Sequence, residues 1–124
     1  MPHLTLEFSS NLPGPPVRDL LAALNRALCA SGEFAGPDIK SRASVFDQFQ
    51  IGEGGEDAAF AHMTLRLMPG RSVAQRQRLA QGLLQALAAV LPAQHALPVQ
   101  LTVEIVELSA PCYAKIEIGA SASP

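Results

Sequence analysis

The sequence predicts an α+β fold in which two β-α-β repeats form a four-stranded mixed sheet with two helices on one face. Alternating apolar and polar residues indicate strands with one face on a core, and apolar residues at helical spacing indicate amphipathic helices. These patterns occur in the order strand, helix, strand twice. The 124 residues are predicted to form a single domain, with pseudo-repeats at about 2–52 and 58–108 and an irregular tail at 109–124.

The first strand is predicted directly after Pro2, because Leu4, Leu6 and Phe8 alternate with polar residues. The next eight residues cannot continue it, since four of them are proline or glycine. A helix follows at about 17–31, with a glycine where a left-handed C-cap falls. Its apolar stripe and that glycine are Leu20, Leu21, Leu24, Leu28 and Gly32.

A second strand is predicted over 39–51, with a possible bulge, because apolar residues take most odd positions and polar residues the even ones. Lys40 and Arg42 then project from the same face of the sheet, two residues apart. Such a cationic pair is uncommon on an ordinary surface strand. The glycine-rich turn that follows, 52–57, matches no phosphate-binding loop.

The second half repeats the first: 61–67 has histidine, threonine and leucine at the same offsets as 2–8. Ser72 and Gln75 form a capping-box signature that opens a second helix, which Pro92 ends. Pro98 introduces a last strand. The buried stripe of the helix is Leu79, Leu83, Leu84, Leu87, Val90 and Leu91, and the inward residues of the strand are Val99, Leu101, Val103 and Ile105.

Composition limits the classes of partner. The net charge is −2 and 48% of the residues are hydrophobic, so we expect neither a nucleic-acid nor a membrane partner. With no apolar run long enough to span a bilayer and no leader pattern, a cytoplasmic location is expected.

Cys29 and Cys112 are predicted to be reduced thiols. His3 and His62 lack a third ligand, so we expect no metal site and expect both side chains to form hydrogen bonds in the core or an interface.

Pro2 is the main candidate for chemistry. If Met1 is removed, Pro2 carries a secondary amine, which is a suitable general base near neutral pH when cations lie close. A proline at position 2 is also common without any function. The polar face of the predicted sheet is either solvated or used between subunits, and the pattern alone favours a solvated face.

Several segments together resemble the tautomerase superfamily, and within it the 5-carboxymethyl-2-hydroxymuconate isomerase family of homoprotocatechuate catabolism. The resemblance covers about residues 1–108. It rests on Met1-Pro2-His3, Ile39-Lys40-Ser41-Arg42, Asp47-Gln48-Phe49-Gln50, Phe60-Ala61-His62-Met63-Thr64-Leu65, and Gly70-Arg71-Ser72 with Arg76-Gln77.

The resemblance implies a homotrimer of tautomerase-like subunits whose polar sheet faces line the inside. It implies a cofactor-free keto-enol tautomerisation of an unsaturated 2-hydroxy or 2-oxo polyacid, with Pro2 as the base. Arg42, Arg71 and Lys40 are the expected ligands of a small-molecule carboxylate, and Phe49 is expected to wall the site. No cofactor or metal is implied.

Alternatives remain open at this stage. Arg71 stands at a helix entrance and is compatible with a structural role, while Arg42 and Lys40 are compatible with ion pairs to Glu7 or Glu104. Two other functions fit the same residues. One is a proline-dependent hydratase or dehalogenase of unsaturated acids, and the other is a non-catalytic ferredoxin-like module that binds a small molecule.

Overall fold

The computed structural model describes residues 1–94 and 96–119. The strands are β1 (His3–Ser9), β2 (Lys40–Phe46), β3 (Ala59–Leu67) and β4 (Val99–Glu107), and the helices are α1 (Val17–Ala30) and α2 (Val73–Val90). They form one four-stranded sheet in the order β2-β1-β3-β4. The central strands β1 and β3 are antiparallel, and each outer strand is parallel to its neighbour. The predicted fold class is confirmed.

One face of the sheet carries the hydrophobic core. Strict alternation along β1 and β3 turns every second side chain toward the helices, and these side chains are buried. The helices cover them with leucine stripes at helical spacing. The main contributors are Leu4, Leu6, Met63 and Leu65 from the sheet and Leu24, Leu28, Leu83 and Leu87 from the helices. The other face is therefore left to the polar side chains.

The predicted helix signals are present in the structure. The Ser72 hydroxyl accepts a hydrogen bond from the Gln75 backbone N–H at 3.1 Å, and the Gln75 side chain accepts one from the Ser72 N–H at 2.8 Å. Gly32 follows α1 with a φ of 77°, a left-handed conformation that favours glycine. Among the helices of the described residues, none combines the length and apolarity needed to cross a bilayer.

The strand predicted over 39–51 is shorter than expected. β2 ends at Phe46, because its single partner β1 ends at Ser9 and the chain then turns. The Ser10 N–H donates to the Phe46 carbonyl at 2.9 Å and closes the ladder. Alternation continued beyond that point in the sequence, but an edge strand cannot extend past the strand that pairs with it.

The segment after β4 turns back across the sheet. The Leu108 N–H donates to the Leu67 carbonyl at 2.8 Å, and a short 3₁₀ helix, Ala110–Cys112, follows. Tyr113 then reaches His3, and the Lys115 ammonium lies 3.8 Å from the Asp38 carboxylate. Residues 108–115 thus pass along the sheet end where β1 and β2 begin. The last five residues of the predicted tail, 120–124, lie outside the described residues.

Candidate functional site

Pro2 lies at the beginning of the central strand β1 and is fully buried. Its carbonyl accepts a hydrogen bond from the Lys40 backbone N–H at 3.2 Å, the first link between β1 and β2. Because parallel strands share one direction, this pairing brings the start of β2 beside the N-terminus. The sequence prediction that Pro2 heads a strand is correct.

The N-terminal amine lies in a setting that favours its neutral form. The pKa of the Met1 α-amino group is lowered, first by burial and then by the positive charge of Lys40. Lys115 acts in the same direction, and Asp38 acts against it. The Lys40 ammonium itself donates to the Asp38 carbonyl at 2.8 Å, which fixes the cation near the chain start.

His3 is the centre of a hydrogen-bonded cluster on the polar face. Arg42 Nη1 lies 3.3 Å from His3 Nδ1, and the Tyr113 hydroxyl lies 3.0 Å from Nε2. Burial lowers the pKa of His3, and the neighbouring charges lower it further. Those charges are all cationic: Arg42, Lys40, the N-terminal amine and Arg66. Around a neutral imidazole, this end of the sheet presents a cluster of positive charge that suits an anion.

The ion pairs considered for Lys40 and Arg42 are not formed. Within residues 1–94 and 96–119, neither side chain is within salt-bridge distance of Glu7 or Glu104. Glu104 instead lies 3.0 Å from His62 Nε2. Lys40 and Arg42 therefore keep their positive charge available on the polar face.

Arg71 has a different environment from the other two cations. Its Nε donates to the Glu33 carboxylate at 2.8 Å and its Nη2 to the Glu33 carbonyl at 3.2 Å. Its guanidinium also lies 4.6 Å from the centre of the Phe34 ring. These contacts tie the start of α2 to the segment after α1, and part of the charge of Arg71 is neutralised by Glu33.

Phe49 lies at the opposite end of the same chain's sheet. Its ring meets that of Phe60 edge-on, with centroids 6.1 Å apart. Phe60 is held beside Ser9, whose hydroxyl accepts from the Phe60 N–H at 3.0 Å. The strand between His3 and Ser9 spans about 20 Å at ~3.3 Å per residue. Within one chain, Phe49 and Pro2 are therefore not brought together.

Sequence reasoning missed Tyr113, Arg66 and the central position of His3. Arg66 lies directly across from His3 in the β1–β3 pairing, which the internal repeat and an antiparallel register would have revealed. Tyr113 comes from an irregular segment with no periodic signal. Two described cavities on the helical side lack comparable chemistry. One of about 370 Å³ is lined mainly by small and apolar side chains with Glu33 and Arg78. The other, of about 760 Å³, is lined by α1 and Gly36 and has Arg26 as its one charged residue.

The mixed sheet and its topology define the chain as a protein of the tautomerase fold class. A fused 4-OT wild type symmetric trimer has this fold, with a TM-score of 0.64 at 22% identity over 85% of each chain. The chain belongs to the 5-carboxymethyl-2-hydroxymuconate isomerase family, whose model matches residues 2–118. That match extends ten residues past the resemblance in the sequence, 118 against 108, and includes Tyr113 and Lys115.

Two relatives illustrate the likeness. A 5-carboxymethyl-2-hydroxymuconate Delta-isomerase of Escherichia coli is 39% identical over 84 residues, and the match spans 63% of each chain. The crystal structure of a 5-carboxymethyl-2-hydroxymuconate isomerase from Deinococcus radiodurans R1 is 31% identical, with a TM-score of 0.84 over 94% of this chain and 90% of that chain.

Proposed function

We propose that this protein is a cofactor-independent isomerase that catalyses the keto-enol (1,3-) tautomerisation of an unsaturated 2-hydroxy or 2-oxo polyacid. The proposed substrate class includes 5-carboxymethyl-2-hydroxymuconate, after which the Escherichia coli relative is named. The observation that carries the proposal is the N-terminus itself, whose amine lies near the positive charges of Lys40 and Lys115, next to a buried proline.

In the proposed mechanism Met1 is removed and the Pro2 nitrogen becomes a secondary amine. The surroundings that lower the pKa of the Met1 amine, burial and Lys40, act on this nitrogen also and favour its neutral form. The amine takes the proton of the 2-hydroxyl group, and the oxygen becomes a carbonyl as the double bonds shift. The same proton then goes to a carbon of the conjugated system, so the amine is regenerated.

Cations have two tasks in this reaction. They bind the carboxylates of the substrate, and they stabilise the dienolate that carries negative charge between the two proton transfers. We assign Arg42 and Lys40 to these tasks because neither is neutralised by an acidic side chain. Arg71 contributes through the N–H donors that Glu33 leaves unused, so its share is smaller.

We further propose a homotrimer, in which Phe49 walls the site of a neighbouring subunit. The isolated chain exposes large apolar side chains, with Val45 51%, Ile116 84% and Ile118 88% accessible. Covering such side chains favours association with another copy. A second subunit also resolves the distance between Phe49 and Pro2, because the aromatic residue of one chain can then lie beside the proline of the next.

The test is an ultraviolet assay of ketonisation with 5-carboxymethyl-2-hydroxymuconate and simpler 2-hydroxydienoates. Intact mass is measured first, and only protein without Met1 is expected to be active. Pro2→Ala, which leaves a primary amine, is expected to lower kcat by about 10²-fold or more without unfolding the protein. The matched control is Pro92→Ala, an exposed proline after α2, which should keep wild-type turnover.

Two results would contradict the proposal. One is an unchanged rate for Pro2→Ala once removal of Met1 is verified. The other is full activity of protein that quantitatively retains Met1, because an amide nitrogen is not a base.

A further inference from the structure

Tyr113 lies at the cationic cluster although it is far from Pro2 in sequence. Its hydroxyl is 3.0 Å from His3 Nε2, and its ring meets the His3 ring edge-on at a centroid distance of 6.1 Å. The segment that carries Tyr113 is held by contacts before and after this residue. Leu108 is hydrogen-bonded to Leu67 before it, and Lys115 lies against Asp38 after it.

The direction of the His3–Tyr113 hydrogen bond follows from Arg42. A guanidinium group only donates hydrogen bonds, so His3 Nδ1, 3.3 Å from Arg42 Nη1, must be the acceptor. A neutral imidazole then carries its proton on Nε2 and donates it to the Tyr113 oxygen. Burial and the neighbouring cations lower the pKa of His3 and so favour this neutral form.

This arrangement leaves the Tyr113 O–H without an acceptor. The phenolic oxygen accepts from His3, and its own proton forms no other hydrogen bond with the described residues, 1–94 and 96–119. The opposite direction, with Tyr113 donating to Nε2, would turn an Nδ1–H toward the donors of Arg42. This half-buried O–H, separated from Arg42 by the His3 ring, is therefore a free hydrogen-bond donor at the edge of the cationic cluster.

We propose that the Tyr113 hydroxyl donates a hydrogen bond to a carboxylate oxygen of the bound substrate, which makes the segment 109–115 part of the active site. This inference rests on the proposed function, since it names a further ligand for the same acid. The hydroxyl donor is oriented by two hydrogen bonds, from Arg42 to His3 and from His3 to Tyr113. Lys115, from the same segment, adds a positive charge near the N-terminus.

The test measures binding separately from chemistry, with adipate as a saturated diacid that does not turn over. Calorimetric titration gives its Kd for the wild type and for Tyr113→Phe, which removes only the hydroxyl. A hydrogen bond to a charged group predicts a Kd about tenfold higher in the variant. The Kd of adipamide, the neutral diamide, should differ much less between the two proteins. For the reacting acid, KM should rise more than kcat falls.

A second readout uses the composition of the chain. Tyr113 is the only tyrosine and there is no tryptophan, so intrinsic emission reports this residue alone. Adipate should change the emission of the wild type in a saturable way at the calorimetric Kd. Arg42→Gln should shift that titration to higher concentration.

The outcomes separate this inference from the proposed function. Equal Kd values for wild type and Tyr113→Phe, or no adipate binding to the wild type, would overturn the role of Tyr113. If Pro2→Ala is inactive in that case, the proposed isomerase function is retained and only the role of Tyr113 is rejected. If the Kd values differ as expected but no 2-hydroxydienoate is converted, Tyr113 is a carboxylate ligand in a protein whose proposed reaction is wrong.

Discussion

The two ends of the polar sheet face have the same backbone arrangement and opposite charge. In the first half, Arg42 lies beside Thr5 and contacts His3. In the second half the equivalent neighbour of Thr64 is Glu104, and it contacts His62. His62 is held between Thr102 at 2.7 Å and Glu104 at 3.0 Å, where His3 is held between Tyr113 and Arg42.

This difference shows how an internal repeat can supply one site instead of two. The second half begins inside the chain at Ala61, so it has no amine. Its carboxylate is also satisfied: the hydrogen bond from His62 is the main cause that lowers the pKa of Glu104, and the acid stays ionised. The outer-strand residues Arg42 and Glu104 thus add opposite charges to the two ends of the sheet.

Among changes to the polar face, the largest effect is expected when the outer-strand charge of Arg42 is removed. Arg42→Gln should raise KM for a diacid about tenfold to a hundredfold, because a hydrogen bond to a charged group is worth about 1.5–3 kcal/mol. Steady-state kinetics of the ultraviolet assay measure this. The matched control is Glu104→Gln at the equivalent position, for which KM should stay within about twofold. Equal changes in both variants would remove the distinction between the two ends.

A smaller effect is expected from Lys40→Gln. Lys40 lowers the pKa of the Met1 amine, so its loss should raise the pKa of the proposed Pro2 amine and favour the protonated form. The acid limb of the pH profile of kcat/KM should therefore move to higher pH. The control is Arg26→Gln, at an exposed position of α1, which should not shift the acid limb of the profile. A limb that moves to lower pH would contradict the assigned influence of Lys40.

The smallest effect concerns stability and His3. The pKa of His3 is lowered in the folded protein. The contribution of His3 to the free energy of unfolding is therefore fully present above the unfolded pKa of about 6.5, and it is lost as pH falls through the folded value. His3→Gln removes this linkage. Urea midpoints at about pH 8 and about pH 5 should therefore differ less in the variant than in the wild type. A larger difference between the two urea midpoints in the variant than in the wild type would show that folding does not lower the pKa of His3.

Local patterns were sufficient for most of the fold. Helix α2 was predictable because Ser72 and Gln75 encode its start within four residues, and the alternation in β1 marks the core face without any knowledge of partners. The end of β2 was not predictable in this way. It depends on where β1 stops, and the alternation beyond Phe46 carried no information about that.

The site was only partly predictable, for a related physical reason. Pro2, Lys40 and Arg42 could be grouped because strand direction and spacing place them together. The partner of Arg71 could not be inferred, since Glu33 is 38 residues away and their contact depends on how both helix ends pack. Tyr113 lies in a segment without period, so only tertiary structure brings it to His3.

The contact between Tyr113 and His3 joins residues 110 positions apart. Forming it closes almost the whole chain into a loop, and the entropy of that closure is repaid only after the sheet between them has paired. The hydrogen bonds of this segment should therefore form late in folding and open first when the protein is stressed. The proposed base and the proposed carboxylate ligand come from positions 2 and 113, so an intact site reports that the polypeptide between them has folded.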